Sequence, residues 1–252
     1  MKLHHKISGE GSPLIILHGL FGTLENWGGQ IAAFKEHYQV ISVDLRNHGR
    51  SPHSNEMNYA VMAEDIIELM DDLSIETADI LGHSMGGKAA MQIALQHPNR
   101  LRRLVVVDIS PVAYEHRHND IFEGLSAIDL NSLTSRSQAD TLLKPYVETI
   151  DIRSFLLKNL YRDEHKNFQW RPNLTGLQNS YAQLISAPFG NKFLKPVLFI
   201  KGKNSDYITS EHQEAINQLF DKVSFKMIEG AGHWPHAEKA KVFGSIVLNF
   251  LR

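Results

Sequence analysis

Residues 82–87 have the sequence Gly82-His83-Ser84-Met85-Gly86-Gly87, which contains a G-x-S-x-G motif. An apolar run at 78–81 precedes the motif, and a stretch of helix-forming residues at 88–95 follows it. This order predicts a strand, a sharp turn and a helix, with Ser84 exposed at the turn as a nucleophile. Glycines are required on both sides of the serine because side chains there would collide with the neighbouring strand and helix. The motif is short, so the rest of the chain has to support this interpretation.

Strands and helices are predicted to alternate along most of the chain. Apolar residues at three- and four-residue steps predict helices, most clearly over 59–73. The expected fold class is α/β, with a mostly parallel, twisted sheet of about seven or eight strands flanked by helices. A strand buried on both faces of such a sheet has a continuous apolar sequence, as at 14–17. Further strands are predicted at 40–45, 104–109, 196–200 and 223–228.

The alternation stops after the strand that ends at Asp108. Residues 113–194 contain helix-compatible segments and several aromatic residues but no strong strand. Because an insertion of this length without secondary structure is implausible in a compact domain, we expect a helical cap over the carboxyl edge of the sheet. The 252 residues are enough for one domain with such an insertion, so we predict a single domain over 1–252.

The composition excludes several classes of function. A net charge of −2 provides no field that would attract nucleic acid or an anionic membrane. The absence of cysteine excludes thiolate catalysis and fits a reducing compartment, and residues 1–9 lack the apolar core of a signal peptide, so we expect a cytoplasmic protein. No nucleotide-binding motif or histidine group with zinc spacing occurs, so neither a cofactor nor a metal is expected. The composition does not indicate an oligomeric state.

A serine nucleophile needs a general base and two donors for the oxyanion of its tetrahedral intermediate. His233 lies in a glycine-rich loop, 229–235, after the last predicted strand, which is where the histidine stands in doubly wound hydrolases. The backbone N–H of Met85, directly after the nucleophile, is one expected donor. The second donor should come from the loop after the first buried strand, where Leu20 is the first choice and Phe21 the alternative.

Two aspartates are candidates for the acid that orients His233. Asp206 follows the strand at 196–200, the usual place for the acid, but the commoner spacing from the strand falls on Ser205 instead. Asp108 ends a buried apolar run, where a lone carboxylate is costly unless a partner such as a histidine is present. We favour Asp108 and keep Asp206 as the alternative.

Five motifs lie at predicted strand ends or in the loops after them. They are Leu17-His18-Gly19-Leu20-Phe21-Gly22, Asp44-Leu45-Arg46-Asn47-His48-Gly49-Arg50-Ser51-Pro52, Gly82-His83-Ser84-Met85-Gly86-Gly87-Lys88, Val107-Asp108-Ile109-Ser110-Pro111-Val112 and Gly230-Ala231-Gly232-His233-Trp234-Pro235-His236-Ala237-Glu238-Lys239. Together they resemble the α/β-hydrolases, and closely the bacterial YbfF-type esterases, over nearly the whole chain. Many relatives in the wider fold have glycine where Asn47 stands.

The resemblance implies a serine esterase that cleaves short- to medium-chain carboxylic esters through an acyl-enzyme on Ser84. It also implies that the acid is Asp108, at the end of the strand predicted at 104–109, rather than Asp206 after the strand at 196–200. Acyl-CoA thioesters are a further class of small-molecule substrate that the resemblance implies. A carbon–carbon bond hydrolase or a perhydrolase with the same triad is the alternative, because the cap would select the substrate. A catalytically inert binding module is the third reading, although it should have lost one of the three catalytic residue types.

Overall fold

The computed structural model describes residues 1–252. Its strands are β1 (His5–Ser8), β2 (Ser12–Leu17), β3 (Tyr38–Val43), β4 (Ala78–His83), β5 (Leu101–Val107), β6 (Leu160–Arg162), β7 (Phe168–Trp170), β8 (Phe193–Gly202) and β9 (Phe220–Ile228). Its α-helices are α1 (Gly28–Phe34), α2 (Tyr59–Asp72), α3 (Met85–Gln96), α4 (Asn119–Ala127), α5 (Arg136–Leu143), α6 (Ile150–Leu157), α7 (Leu174–Asn179), α8 (Tyr181–Ile185), α9 (Gln213–Leu219), α10 (Pro235–Glu238) and α11 (Ala240–Leu251). None of these helices combines the length and the apolar composition that crossing a membrane requires.

Seven of the strands form one sheet, in the order β1-β3-β2-β4-β5-β8-β9. Only β1 runs antiparallel to its neighbour, and every other pair is parallel. The predicted α/β class and the mostly parallel sheet are therefore confirmed. Because the carboxyl ends of parallel strands share one edge, the loops after β2, β3, β4, β5, β8 and β9 converge there.

Helices cover both faces of the sheet, which explains why residues 14–17 of β2 are all apolar. Leu14 and Ile16 belong to the core on the face that also holds Phe34 of α1. Ile15 and Leu17 belong to the core on the opposite face, which is covered by α2 and α3. These four side chains are fully buried, because alternate residues of the strand pack against helices on opposite faces of the sheet.

The chain between β5 and β8 contains α4 to α8 and a small antiparallel hairpin of β6 and β7. The expectation of helices without strands was therefore wrong for this hairpin. Leu160 and Phe168 are buried, and the Asp163 carboxylate closes the turn by accepting the N–H groups of His165 at 3.0 Å and Asn167 at 2.8 Å. Strands of three residues are too short to produce a recognisable alternation in sequence.

Candidate active site

Ser84 is the single residue that connects β4 to α3, and it has a φ of 52° and a ψ of −119°. This backbone conformation is strained for a residue with a side chain. A Cβ atom on Gly86 would lie 2.4 Å from the carbonyl oxygen of His18, and one on Gly82 would lie 2.1 Å from the carbonyl oxygen of Gly86. The two flanking glycines are thus required because strand and helix backbones approach each other closely at the turn.

Gly86→Ala is expected to destabilise the protein by about 1–3 kcal/mol and to reduce turnover, because the added methyl forces the turn between β4 and α3, here called the elbow, away from β2. Gly29→Ala in α1 is the matched control, since a Cβ there meets nothing within 4 Å. The control should be neutral or stabilising by about 0.4–1 kcal/mol. Urea unfolding and ester turnover of both variants measure the difference, and equal stabilities would contradict the steric argument.

Ser84, His233 and Asp108 form one hydrogen-bonded chain across the carboxyl edge of the sheet. His233 Nε2 lies 3.1 Å from the Oγ of Ser84, and His233 Nδ1 lies 2.8 Å from Oδ2 of Asp108. Because a carboxylate only accepts, Nδ1 carries the proton and Nε2 is free to accept one from the serine. The arrangement has the contacts of a nucleophile, a general base and an orienting acid.

Asp108 and Asp206 have very different surroundings. The Asp108 side chain is fully buried, and its other contacts are the N–H of Gly202 at 3.0 Å and the hydroxyl of Ser205. The Asp206 side chain is 71% exposed and forms an ion pair with Arg117 at 2.8 Å, which lowers the pKa of Asp206. The structure therefore brings Asp108 to His233 and directs Asp206 to another partner.

The loop after β2 contains the two residues considered for the second oxyanion donor. The N–H of Phe21 donates to Nε2 of His48 at 3.2 Å, so it already has a partner. The N–H of Leu20 has no protein acceptor. Met85 is the first residue of α3, and its N–H therefore has no acceptor within the helix. Leu20 and Met85 are thus the expected donors that remain available to a ligand.

The loop after β3 supports the loop after β2. An Asp44 carboxylate oxygen accepts the N–H of Leu24 at 2.8 Å, and Nε2 of His18 accepts the N–H of Leu45 at 3.0 Å. Asn47 has a φ of 65°, a conformation that asparagine tolerates better than most residues with a side chain. Glycine also adopts this conformation readily, because it has no Cβ atom.

Two further side chains hold the loop of His233. The ring of Tyr207 stacks on the imidazole of His233 with centroids 4.0 Å apart. His83 donates from Nε2 to the carbonyl oxygen of His233 at 2.7 Å. Neither residue was predicted from the sequence to belong to the site. The available signal was proximity in sequence, because His83 precedes Ser84 and Tyr207 follows Asp206.

Four histidines at this edge of the sheet, namely His18, His48, His83 and His236, are almost wholly buried. Burial lowers the pKa of His18 to about 4. It lowers the pKa of His48 and of His236 to about 3, and that of His83 well below its usual value of 6.5. Because charging these rings inside the protein is unfavourable, all four are neutral near pH 7.

The free energy of unfolding is expected to fall as the pH drops from about 6.5 towards 4. In this range the histidines bind protons in the unfolded chain but stay neutral in the folded protein, so lower pH favours the unfolded state. Each such histidine contributes a slope of at most about 1.4 kcal/mol per pH unit within this window. His236→Phe keeps a ring beside Trp27 but removes one proton-binding site. Its unfolding free energy should depend less steeply on pH than that of the wild type in urea titrations at pH 7, 6 and 5. Equal slopes would contradict the prediction.

A cavity of about 310 Å³ opens at Ser84 and His233. One part of its wall comes from the loops of the main sheet, and the other part comes from the chain between β5 and β8. The second part is mainly apolar and consists of Ile121, Ile152, Phe155 and Leu156, together with Arg117 and His118. The cavity is at the small end of the range of about 300–1,000 Å³ that is usual for ligand sites.

Lys88 joins the helix of the elbow to both ends of the chain segment that forms this wall. Its ammonium group donates to the carbonyl oxygens of Val112 at 2.8 Å, Ile185 at 3.0 Å and Ser186 at 2.6 Å. Burial lowers the pKa of Lys88 to about 7. The three carbonyl oxygens match the three N–H donors of a charged lysine, so each donor of the ammonium group has a partner despite its burial.

A family model described as the alpha/beta hydrolase fold matches residues 12–150, more than half of the sequence. The chain belongs to the α/β-hydrolase family. This membership confirms the resemblance derived from the five motifs.

Three relatives of this α/β-hydrolase are similar over nearly its whole length. Esterase YbfF of Escherichia coli strain K12 is 36% identical over 90% of this chain and 88% of that protein. The sn-1-specific diacylglycerol lipase ABHD11 of Xenopus laevis is 39% identical over 96% of this chain and 80% of that protein. The solved structure of a marine microorganism esterase is 38% identical, with 99% of each chain covered and a TM-score of 0.97.

Proposed function

We propose that this α/β-hydrolase is a serine esterase that hydrolyses carboxylic esters through an acyl-enzyme on Ser84. The observation that carries the proposal is the continuous chain of contacts from Ser84 through His233 to Asp108. The names of the relatives, two esterases and a diacylglycerol lipase, support the same class of activity. The strained turn at Ser84 also supports the proposal, because the turn places the serine hydroxyl at the N-terminus of α3.

The first half of the reaction transfers the acyl group to the enzyme. The Oγ of Ser84 attacks the ester carbonyl carbon while Nε2 of His233 takes the hydroxyl proton. Asp108 accepts the hydrogen bond from Nδ1 and stabilises the imidazolium that forms. When the tetrahedral intermediate collapses, the bond to the alkoxide breaks, and the same proton passes from His233 to the departing alcohol.

The second half releases the acid. A water molecule takes the place of the alcohol, gives a proton to His233 and attacks the acyl carbon. The ester bond to Ser84 then breaks, the serine oxygen recovers the proton, and the carboxylic acid leaves. In both halves the carbonyl oxygen becomes an oxyanion, and the N–H groups of Leu20 and Met85 are the proposed donors to it. Loss of one such donor typically costs about 10²–10³-fold in kcat.

The proposed substrates carry short- to medium-length acyl chains. The small cavity and its apolar wall of Ile121, Ile152, Phe155 and Leu156 support this choice. We propose that residues 113–194 act as the cap of a single domain, 1–252, and thereby limit the length of the acyl chain. The three hydrogen bonds of Lys88 support this role, since they fasten both ends of that segment to α3.

Acyl-CoA thioesters present the same carbonyl carbon with a better leaving group, so we include them as a second substrate class. The proposed location is the cytoplasm, which suits a chain without cysteine. Cell fractionation with an antibody against the protein tests the location separately from the activity.

An acyl-chain series tests the activity. p-Nitrophenyl esters from acetyl to dodecanoyl should be hydrolysed with a burst of nitrophenol equal to the enzyme concentration, and the rate should decline for the longest chains. The matching acyl-CoA series tests the thioester proposal independently. If purified, folded protein hydrolyses no oxygen ester in the series, the esterase proposal is wrong.

A further inference from the structure

Phe21 is the residue at which three parts of the structure meet. Its φ is 59°, in the left-handed region that a bulky residue rarely adopts. Its N–H donates to Nε2 of His48, in the loop after β3, at 3.2 Å. Its carbonyl oxygen accepts from Nδ2 of Asn159, which lies between α6 and β6, at 2.7 Å. Two segments distant in sequence therefore hold an unfavourable backbone conformation directly after Leu20.

His48 has the protonation state that this contact needs. Its side chain is fully buried, and its Nδ1 donates to the carbonyl oxygen of Arg46 at 2.9 Å. The carbonyl group only accepts, so the proton is on Nδ1 and the lone pair of Nε2 faces the N–H of Phe21. Burial lowers the pKa of His48 to about 3, which keeps the acceptor intact at any ordinary assay pH.

We propose that His48 is a positioning residue of the oxyanion hole, which holds the Phe21 peptide so that the N–H of Leu20 points at the substrate oxyanion. Without an acceptor on its N–H, Phe21 can relax from its left-handed conformation, and the preceding peptide turns with it. The inference rests on the proposed esterase function. It assigns His48 an effect on the transition state and little effect on the binding of the ester.

Two polar variants separate the contacts of His48. In His48→Gln the side-chain oxygen lies near the position of Nε2 and can still accept from Phe21. In His48→Asn the side chain reaches only the position of Nδ1, so it keeps the contact with Arg46 and loses the contact with Phe21. We expect His48→Asn to lower kcat by about 10–100-fold, with KM changed less than about threefold, and His48→Gln to retain clearly more activity.

A trifluoromethyl ketone with the acyl chain of the best ester provides the second measurement, because its adduct with Ser84 carries an oxyanion. Its affinity should fall in His48→Asn by about the same factor as kcat. His53→Asn is the control, since His53 is an exposed histidine of the same region that contacts only the carbonyl oxygen of Arg171. The control should keep the wild-type kcat and inhibitor affinity.

A folded His48→Asn with wild-type kcat and wild-type inhibitor affinity would overturn the inference, as would equal losses in the Asn and Gln variants. If both variants fail to fold, Asn159→Ala removes the other contact that holds Phe21, at the carbonyl oxygen of the following peptide. It should weaken binding of the trifluoromethyl ketone in the same way, whereas unchanged affinity would show that holding Phe21 does not affect the oxyanion hole and would again overturn the inference. Failure of the esterase proposal has a different result, because either the wild type would then hydrolyse no oxygen ester or Ser84→Ala would keep the wild-type activity.

Discussion

Ser84→Ala is expected to lower kcat for carboxylic esters by at least about 10⁴-fold, because no acyl-enzyme can form without the hydroxyl. The change should leave the fold intact. Alanine has a Cβ like serine, so the strained φ of 52° at this position costs no more than before. The measurement is steady-state hydrolysis of p-nitrophenyl butyrate together with the burst, which should disappear.

Ser132→Ala is the matched control for the loss of a serine hydroxyl. Ser132 is exposed, and its Oγ contacts only the carbonyl oxygen of Asp129 at 3.1 Å. Its activity should equal that of the wild type. A fluorophosphonate probe should label the wild type and Ser132→Ala but not Ser84→Ala. Undiminished turnover by Ser84→Ala, after repurification to remove contaminating esterases, would refute Ser84 as the nucleophile.

Asp108→Asn is expected to lower kcat by about 10³–10⁴-fold, because the amide can present N–H donors to His233 and so favour the wrong tautomer. The substituted amide would also face the N–H of Gly202 and the hydroxyl of Ser205, which now contact the carboxylate. Thermal unfolding should be recorded with the kinetics, since the side chain is fully buried. A loss of kcat in a folded variant would show that the substitution impairs catalysis rather than folding.

Asp206→Asn is the matched comparison, which shows whether the loss of kcat is specific to Asp108. The Asp206 side chain is 71% exposed, and its partner is Arg117 rather than His233. Its removal should therefore change kcat by less than about tenfold, mainly through the position of Arg117 at the cavity wall. The opposite pattern, with an inactive Asp206→Asn and an active Asp108→Asn, would show that the acid is Asp206.

Several features of the site were predictable because they follow from local constraints. Gly82 and Gly86 are required by the backbone contacts of one turn, and the position of His233 follows from a glycine-rich loop after the last strand. Other contacts were not predictable. Tyr207 stacks on His233, and His48 accepts from Phe21, only because loops from different strands converge at one edge of the sheet.

The sequence by itself determined the α/β class, the elbow at Ser84 and the set of residues from which a triad could be chosen. These are properties of short segments, in which sterics and apolar patterns act over a few neighbouring residues. The tertiary structure alone decided which aspartate lies against His233 and which N–H of the loop after β2 is free. Asp108 and His233 are 125 residues apart in the chain, and they meet because β5 and β9 flank β8 in the sheet. Such a contact depends on how whole strands are ordered, which no local pattern specifies.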